Sequence, residues 1–549
     1  MTSSRPNTEK PTDAVDYIED PTDNGFKKGD AAVDAALRGQ TVSGYESLTI
    51  WETAKLFKVA TISCFAAAFS AATDGYQIGQ APLFTRTTPK LQPANIQRFV
   101  RQFATLTDPT GKPYLDAPIL SGWSSIMSVG QVLGMTTIPF ISSRLGRKAA
   151  MYTLWLVLAE SLARSWPVWL VGKLLAGIGV GCLQSTMPIY IVEVAPVRIR
   201  GGLLMCYSLW RTVGTFCAHV ALQSLNKKDA YNYLKPIYTQ WAQIGLMLLI
   251  FVFLPESPAW CVTSGHEERA KKCLVWLNRG VEGFNLEQQY QALLMTLEHE
   301  RAVAAAQRRE KWHAIFRGTD GIRTLVSLWT NMSQQFIGLI LFATFGTYFF
   351  QQAGLQDPFL IKAITSSINI VTIIVTIFSA DRLGRRWIGC GGITVCWLSC
   401  VVIGIMGVVR ETNATTYVFV LFACFWNIGM TASGAAGRGF IGEISSQRLR
   451  PYTAGFGAAC SCVIGIVMNV LVPYMVNADK WNWGYKTGWF YAGVGLPFTI
   501  GMWLLIPDTA GRSAAELDEL FERKIKPWRF HKTQTATQNL VNLQKSEQQ

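Results

Sequence analysis

Apolar stretches recur along the chain at the length of a bilayer crossing, about 20 residues, and alternate with short polar or basic segments. Twelve such windows begin near Phe57, Ile119, Ala149, Pro167, Gly202, Trp241, Ile322, Phe359, Trp387, Thr416, Thr453 and Gly488. The pattern predicts an all-α membrane protein with twelve transmembrane helices in two six-helix bundles. Because the number of crossings is even, both termini are expected on the same side of the membrane.

The polar segments between and around the two sets of windows predict five regions. The first fifty or so residues are rich in Asp, Lys, Thr, Pro and Gly and read as a disordered tail, not a cleaved signal. Residues 255–320 are polar and contain helix-forming runs, which predict a short helical linker. The expected boundaries are a tail at 1–55, bundles at 56–254 and 321–507 around the linker, and a second tail at 508–549.

The formal net charge of +14 does not indicate nucleic acid, because Lys and Arg cluster in short loops between apolar windows. These loops share one face with the linker, which the positive-inside rule assigns to the cytoplasm together with both termini. The long connection at 80–117 is also basic, but long loops cross regardless of charge. A multi-pass plasma-membrane protein is expected. The sequon that begins at Asn413 then lies outside and is a glycosylation candidate.

Three paired motifs show that the second set of windows repeats the first. The run RLGRK at 144–148 follows window two, and RLGRR at 382–386 follows window eight. An acidic and a basic residue seven positions apart recur as Glu193 with Arg200 and as Glu443 with Arg450. The Pro-acid pairs at 255–256 and 507–508 follow windows six and twelve. The chain is therefore interpreted as a duplicated six-helix unit.

The repeated acids and bases predict a gate at the cytoplasmic helix ends. Such groups pair between neighbouring helices when this face is closed and separate when it opens, which biases a two-state element. The alternative is that the basic loops only fix topology; the repetition of the acidic partners favours a gate. The candidate gate residues are Arg144, Gly146, Arg147, Glu193, Arg200, Glu256, Asp381, Arg382, Gly384, Arg385, Glu443 and Arg450.

The motifs resemble the sugar porter family of the major facilitator superfamily, over residues 57–530. The resemblance is carried by PIY at 188–190, PESP at 255–258, QQ at 334–335 with Gly338, and GRR at 384–386. A closer likeness to fungal α-glucoside (maltose) permeases is carried by YFFQQAGL at 348–355 and VPYM at 472–475, and implies a fungal source. The resemblance implies two six-helix bundles around a central cavity and a neutral sugar as cargo, often moved with a proton.

Span one departs from the family at its proton site. The family usually has Asp after a Gly-Tyr pair, whereas here Gly75-Tyr76 is followed by Gln77. Asp74 lies nearly one helical turn earlier and is a candidate to pair with Lys173, which stands where the family usually has Arg. The alternative places Asp74 near the outer surface, in water. These departures make Asp74, Gln77 and Lys173 the proton-coupling candidates, and leave proton symport and uniport both open.

Two arginines replace neutral groups that the resemblance places at the cavity. Ser208 stands where many members have a sugar-binding Gln or Asn, and Arg438 where the family has an aromatic. Arg211 is roughly 16 Å beyond Arg200 along its helix, which is close to the membrane midplane. Arg211 and Arg438 either bind an anionic group of the cargo, or they pair internally, for instance with Asp74, or Arg438 snorkels to the cytoplasm.

The remaining polar residues of the apolar windows have simpler interpretations. Glu160 and Arg164 are four residues apart and predict a local helix pair. The 12 cysteines are scattered without the spacing of a zinc site or a disulfide framework, which favours packing roles. Walker-type loops, metal-spaced histidines and nucleophile motifs are missing from the sequence, which argues against an enzyme and against an ATP-driven pump.

We therefore expect a carrier that moves a sugar or sugar-like small molecule by alternating access. The alternative is a carrier or exporter of a non-sugar metabolite, anionic or secondary, and a third hypothesis is a nutrient sensor. The expected partners are the cargo and the lipid bilayer, without nucleic acid, an obligate protein partner or a cofactor other than a co-transported proton. The substrate-binding candidates are Gln334, Gln335, Gly338, Ser208, Arg211 and Arg438.

Overall fold

The fold is described for most of the apolar windows and for the linker between them. The computed structural model describes residues 50–80, 103, 106–107, 113–114, 117–196, 199–228, 234–281, 284–309, 312–342, 358–409, 412–444, 449–476, 481–507, 520–521, 523 and 525–533. The predictions for the two tails therefore fall largely outside the described residues.

The first half contains six spans. A short helix, α1 (Ile50–Leu56), precedes them. Span one is α2 (Lys58–Ala68) with α3 (Ala71–Gly79), and span two is α4 (Ala117–Leu145). Span three is α5 (Arg147–Met151), which continues as a 3-10 helix (Tyr152–Leu162). Spans four, five and six are α6 (Trp166–Val194), α7 (Arg200–Lys228) and α8 (Leu234–Phe253).

The linker and the second half follow in the expected order. The linker contains α9 (Pro258–Thr263), α10 (Glu267–Leu277), α11 (Leu286–Arg309) and a 3-10 turn (Trp312–Phe316). Spans seven to twelve are α12 (Gly318–Phe336), α13 (Pro358–Leu383), α14 (Arg385–Met406), α15 (Asn413–Ile444), α16 (Arg450–Val476) and α17 (Thr487–Leu505). We call the end of the bundle at which α8 finishes and the linker begins the linker end, and the opposite one the far end.

The connection between spans one and two adds one feature to the helical fold. Two short strands, β1 (Leu106–Thr107) and β2 (Pro113–Tyr114), pair antiparallel there. These two pairs of residues lie in a connection and leave the predicted all-α class unchanged. The spans are helical, with a turn at Phe69–Ser70 in span one and another at Ile337–Gly338 after α12.

Span three crosses with few residues because much of it is a 3-10 helix. Its five α-helical and eleven 3-10 residues rise together by roughly 30 Å, at about 1.5 and 2.0 Å per residue. That length matches a hydrocarbon core of about 30 Å. Because a 3-10 helix rises further per residue than an α-helix, span three crosses the membrane with fewer residues.

The twelve spans differ in composition. Seven of the described helical stretches are long and apolar enough to cross a membrane, and they lie in α4, α6, α13, α14, α15, α16 and α17. The other five spans each carry a buried or half-buried polar side chain, namely Asp74, Glu160, Arg211, Gln240 and Gln334. Polar groups inside a membrane are expensive and usually functional. The less apolar spans are therefore the place to look for a site.

Each half has its own hydrophobic core. One cluster of buried side chains extends from Phe57 in span one to Val281 in the linker. The other extends from Val326 in α12 to Phe530 near the C-terminal end. The halves meet where α7 packs against α13 and where α4 packs against α16. Two separate cores joined by a limited seam are typical of halves that move as bodies.

Candidate functional site

Close packing of α3 on α7 places a buried carboxylate beside an arginine. A Cβ added at Gly75 would overlap the backbone oxygen of Arg211, so only glycine permits this approach. Arg211 Nε then lies 3.1 Å from Asp74 Oδ2, and Gln184 Nε2 donates to the same oxygen at 2.9 Å. The Asp74 side chain is 5% exposed and that of Arg211 is 38% exposed. The guanidinium is therefore anchored by one edge and open on the rest.

This geometry corrects the proposed pairing of Asp74 with Lys173. Asp74 is buried, which also rules out the alternative that it lies in water at the outer surface. Its charged partner is Arg211 of α7, which the glycine contact brings close, whereas α6 contributes the neutral Gln184 to Asp74 and Lys173 to Gln77. The internal pairing of Arg211 with Asp74 that the sequence left open is thus present. Ser208 is half-buried one turn before Arg211, and its carbonyl accepts a hydrogen bond from Thr212.

Lys173 belongs instead to a second buried cluster. Its Nζ lies 2.9 Å from Glu160 Oε1, with side chains only 4% and 0% exposed. Gln77 completes the cluster by accepting from Lys173 Nζ at 3.3 Å and by donating to Gln240 Oε1 at 2.7 Å. Gln77 Nε2 also lies 3.5 Å from Glu160 Oε2. One carboxylate, one ammonium and two amides are thus enclosed together.

The prediction of a local Glu160–Arg164 pair is wrong. Arg164 donates to the backbone oxygens of Ser161 and Ala163, while Glu160 turns inward to Lys173 of α6. Spacing along one helix suggested the local pair, but a carboxylate in apolar surroundings requires a buried cation. The signal in the sequence is an acid within span three and a lysine within span four, and it does not show that the two side chains meet.

In the second half, the glutamine pair lies immediately before a break in span seven. α12 ends at Phe336, and Gly338 has a φ of 92°, a conformation open mainly to glycine. The freed carbonyl of Ile337 accepts a hydrogen bond from Trp426 Nε1 at 2.9 Å. Gly338 itself is buried next to Phe342 and Tyr491 in this structure.

Gln335 lies beside the seam between the halves. Its Nε2 is 3.9 Å from the place where a Cβ would stand on Gly465 of α16. Asn469 lies four residues later on the same face of α16 and donates to Ser128 of α4 at 3.4 Å. The buried Oε1 of Gln335 has no hydrogen-bond partner among the described residues. Gln334 is half-buried at the same helix end.

At the linker end, Arg147 and Glu193 form a two-point contact. Arg147 Nη2 and Nε donate to Glu193 Oε1 and Oε2 at 2.8 and 3.2 Å. Glu256 accepts from the backbone N–H of Arg147 at 3.0 Å and from that of Lys148 at 3.2 Å. Gly146, with a φ of 106°, allows this approach, since a Cβ there would lie 2.6 Å from a Glu256 oxygen. The network ties spans two, three and four to the start of the linker.

The environment of Glu256 shifts its acidity. Burial raises its pKa above the usual value of 4.5, and hydrogen bonds from the N–H groups of Ser257, Lys148 and Arg147 offset part of that rise, as does the charge of Lys148. The carboxylate is therefore held by backbone donors in a place where ionisation is disfavoured.

The repeat predicted from the motifs is present in the structure. Both repeats have a glycine with a positive φ before the third span. Gly384 has a φ of 79° at the start of α14, and Gly146 has a φ of 106° at the start of α5. Two residues later, Lys148 donates to the carbonyl of Val252 at 2.8 Å, and Arg386 to that of Trp503 at 2.7 Å. Both acceptors lie near the end of the sixth span of their half.

The other gate candidates are distributed as follows. Arg144 is exposed, and Arg200 and Arg385 are half-buried at the starts of α7 and α14. The side chains of several candidates lie outside the described residues, namely Asp381, Arg382, Glu443, Arg450, Arg438 and Asn413.

Comparison with known sequences places the chain among transporters. The family described as sugar (and other) transporter matches residues 36–521. The MFS transporter fmqE of Aspergillus fumigatus is 28% identical and aligns over 79% of this chain and 82% of its own. The general alpha-glucoside permease of Saccharomyces cerevisiae is 26% identical, over 79% and 72%. The high-affinity gluconate transporter ght3 of Schizosaccharomyces pombe is 25% identical, over 79% and 80%.

Comparison with solved structures identifies the fold. An inward open conformation of the xylose transporter XylE from E. coli superposes with a TM-score of 0.64 at 19% identity, over 84% of this chain and 99% of that one. At this identity the likeness concerns architecture. The chain has the twelve-helix major facilitator fold that the windows and the repeat predict.

Proposed function

The chain belongs to the sugar (and other) transporter family, and from that membership we propose that it carries a sugar or sugar-like small molecule across the membrane by alternating access. In this mechanism the two halves rock about a site between them, which opens to one side at a time. The cargo is moved without chemical change. The energy comes from a gradient. A co-transported proton is the one additional ligand proposed, and uniport is the alternative.

The observation that carries this proposal is the position of Gln335. Its unpartnered carboxamide oxygen lies beside the seam at which α16 meets α4 of the other half. A buried polar atom without a partner is unfavourable unless a ligand satisfies it. Sugar hydroxyls are suitable donors for that oxygen, and the carboxamide of Gln334 supplies further hydrogen-bonding groups at the same helix end.

The sidedness follows from the charged loops. We assign the linker end to the cytoplasm and the far end to the outside of the plasma membrane, because basic residues concentrate beside the linker. The two bundles are 56–254 and 321–507, with the linker 255–320 between them. With this orientation the contact between Arg147 and Glu193 is an inner gate.

A sugar acid is the second candidate cargo, and the open guanidinium of Arg211 favours it. Asp74 engages only the Nε edge, so the remaining N–H donors can form a two-point contact with a carboxylate. The relative ght3 carries the name of a gluconate transporter. Arg211 and Ser208 would bind the acid end of such a cargo, with the glutamines at its hydroxyls.

Counterflow in vesicles tests the first candidate. Purified full-length protein is reconstituted, and exchange of labelled D-glucose, maltose and D-gluconate is measured in the absence of any gradient. Gln334→Ala should raise the KM of the transported probe at least about tenfold, as the loss of buried hydrogen bonds predicts. Gln288→Ala, an exposed glutamine of the linker, is the matched control. Unchanged kinetics in Gln334→Ala would disprove the assignment of the sugar site.

Arg211→Lys separates the two candidates. Lysine preserves the positive charge beside Asp74 but removes the planar fork. For a sugar acid, the KM of D-gluconate should rise while that of D-glucose changes little. Wild-type protein that exchanges D-glucose and excludes D-gluconate would eliminate the acid. Flux of any probe excludes a pure sensor.

A further inference from the structure

Glu160 is a fully buried carboxylate for which cargo binding offers no role. It lies in the 3-10 part of span three, and its side chain is 0% exposed. Its cation is Lys173, at 2.9 Å. Burying two charges costs several kcal/mol each, and their mutual attraction rarely yields net stability. A buried ion pair in a membrane protein that adds little net stability is therefore a candidate for a functional role.

From this geometry we propose that Glu160 is a proton-binding site that couples transport to a proton gradient. The proposal rests on the proposed function, since coupling requires a transported cargo. In the arrangement described, Glu160 is ionised and paired. When the halves move and water reaches the pair, the carboxylate binds one proton, so that –COO⁻ and H⁺ become –COOH. It releases the proton on the other side.

The surroundings of Lys173 allow Glu160 to become neutral. When Glu160 is protonated, the ammonium keeps the oxygen of Gln77 at 3.3 Å and the ring of Trp169 at 5.2 Å. A cation over an indole face retains part of its electrostatic stabilisation. The Lys173 ammonium therefore keeps favourable contacts after Glu160 is protonated. Without them, the cost of an unpaired buried cation would oppose that protonation.

No other described charge competes for Glu160. The 3-10 helix packs against α6, α8 and α5. From α6 the charged group is Lys173, and α8 presents the neutral Gln240 and, further along, the phenol of Tyr238 near Arg164. Lys148 of α5 is directed to the linker end, where it binds the carbonyl of Val252. Among the described residues, the charges of the cluster are therefore those of Glu160 and Lys173.

Gln77 gives the proton site a connection to the cargo site. It contacts both charges of the pair and lies three residues after Asp74 on α3. Cargo that binds Arg211 changes the attraction between Arg211 and Asp74 of α3. The resulting shift of α3 changes the contacts of Gln77 with Lys173 and Glu160. Two sites linked through one moving helix satisfy the requirement that each ligand binds the two states with different affinity.

Two measurements test the proposal in purified full-length protein. The first is accumulation of labelled D-glucose or D-gluconate in vesicles driven by a pH gradient, compared with gradient-free counterflow. One proton per cargo supports up to about tenfold accumulation for each pH unit. Wild type should accumulate the probe. Glu160→Gln should retain counterflow and lose accumulation, whereas Glu287→Gln, an exposed linker glutamate, should behave as wild type.

A double variant that moves the carboxylate from position 160 to position 77 distinguishes loss of the proton site from misfolding. The double variant Glu160→Gln with Gln77→Glu returns a carboxylate to a position within 3.3 Å of Lys173 and keeps the pair neutral overall. Accumulation should recover in this variant. Failure to recover in a folded double variant that still performs counterflow contradicts the proposal, and so does wild-type accumulation in Glu160→Gln.

The second measurement needs no cargo. Infrared difference spectra across a pH titration should contain the carbonyl band of a protonated carboxylic acid that disappears in Glu160→Gln and persists in Asp74→Asn. If counterflow fails for every probe, the proposed function fails for those probes, and the infrared band still decides the proton site. An identical band in wild type and Glu160→Gln would overturn it.

Discussion

The imidazole Nδ1 of His219 lies 2.7 Å from the hydroxyl Oγ of Ser366, and this hydrogen bond joins the two halves. His219 is near the end of α7 and Ser366 near the start of α13, so the contact is close to the far end of the bundle. Both side chains are buried. The bond between Asn469 and Ser128 also crosses the seam, nearer the far end than the linker end of α16. The halves are therefore held together on the far side in this conformation.

Ser366→Ala should shift the equilibrium toward opening at the far end. The substitution leaves a buried imidazole nitrogen without its partner, at a cost of about 1–3 kcal/mol to the closed state. Spin labels at Ser224 and Leu360 should then report a larger population of long distances. Ser367→Ala is the control, because the Ser367 hydroxyl binds Ala363 within its own helix. Equal distance distributions in both variants would show that the bond does not hold the seam.

Arg147→Lys should weaken the contact with Glu193 although the charge is kept. Lysine cannot reproduce the two parallel donors at 2.8 and 3.2 Å. We expect a coupling energy between these positions of about 1.5–3 kcal/mol in a double-mutant cycle with Glu193→Gln, from thermal unfolding in detergent. Arg144→Lys, an exposed position of the same segment, should have little effect. Additive effects of Arg147→Lys and Glu193→Gln would contradict the pairing.

Glu256 predicts a pH dependence of stability. Because burial raises its pKa, the folded protein holds this proton more readily than the unfolded chain. The stabilising contribution is fully present below the usual pKa of 4.5 and is lost as the pH rises through the raised value. The unfolding temperature of wild type relative to Glu256→Gln should therefore fall as the pH increases across that window. A difference that is constant with pH would disprove the raised pKa.

Cys273 in the linker should be a more acidic thiol than its neighbour Cys261. A hydrogen bond from the Cys261 thiol lowers the pKa of Cys273 below the usual 9.0, while the pKa of Cys261 is raised by the same contact. Maleimide should modify Cys273 at a lower pH than an ordinary thiol requires. In Cys261→Ser the serine hydroxyl still donates to the Cys273 sulfur, so the pH profile should be kept. In Cys261→Ala this donor is lost, and the reaction of Cys273 near neutral pH should slow. An unchanged pH profile in Cys261→Ala would refute the contact.

The spans and the repeat could be predicted because both depend on local composition. Apolar windows of crossing length locate the helices, and the glycines at 146 and 384 mark turns whose positive φ angles the sequence motif requires. The glycine contact between α3 and α7 depends on tertiary packing. The sequence therefore offered both Lys173 and Arg211 as partners of Asp74, and the structure selects Arg211.

The buried cluster around Glu160 illustrates the same limit. The spacing of Glu160 and Arg164 on one helix suggested a local pair, because sequence gives neighbours along a helix and not across helices. The pairing with Lys173 depends on how the 3-10 helix rotates against α6. The break after Gln335 was equally hidden, since the apolar window of span seven continues through Gly338, whose φ is positive.

The most direct test of the central claim is a pair of distances measured by pulsed electron paramagnetic resonance in reconstituted protein. Non-cysteine spin labels are needed, because the chain has 12 cysteines. One pair, at Ser224 and Leu360, reports the far end, and the other, at the exposed Leu145 and Leu383, reports the linker end. Rocking halves predict that cargo or pH changes shift the two distances in opposite directions. Distances that stay fixed, or that lengthen and shorten together, would contradict alternating access.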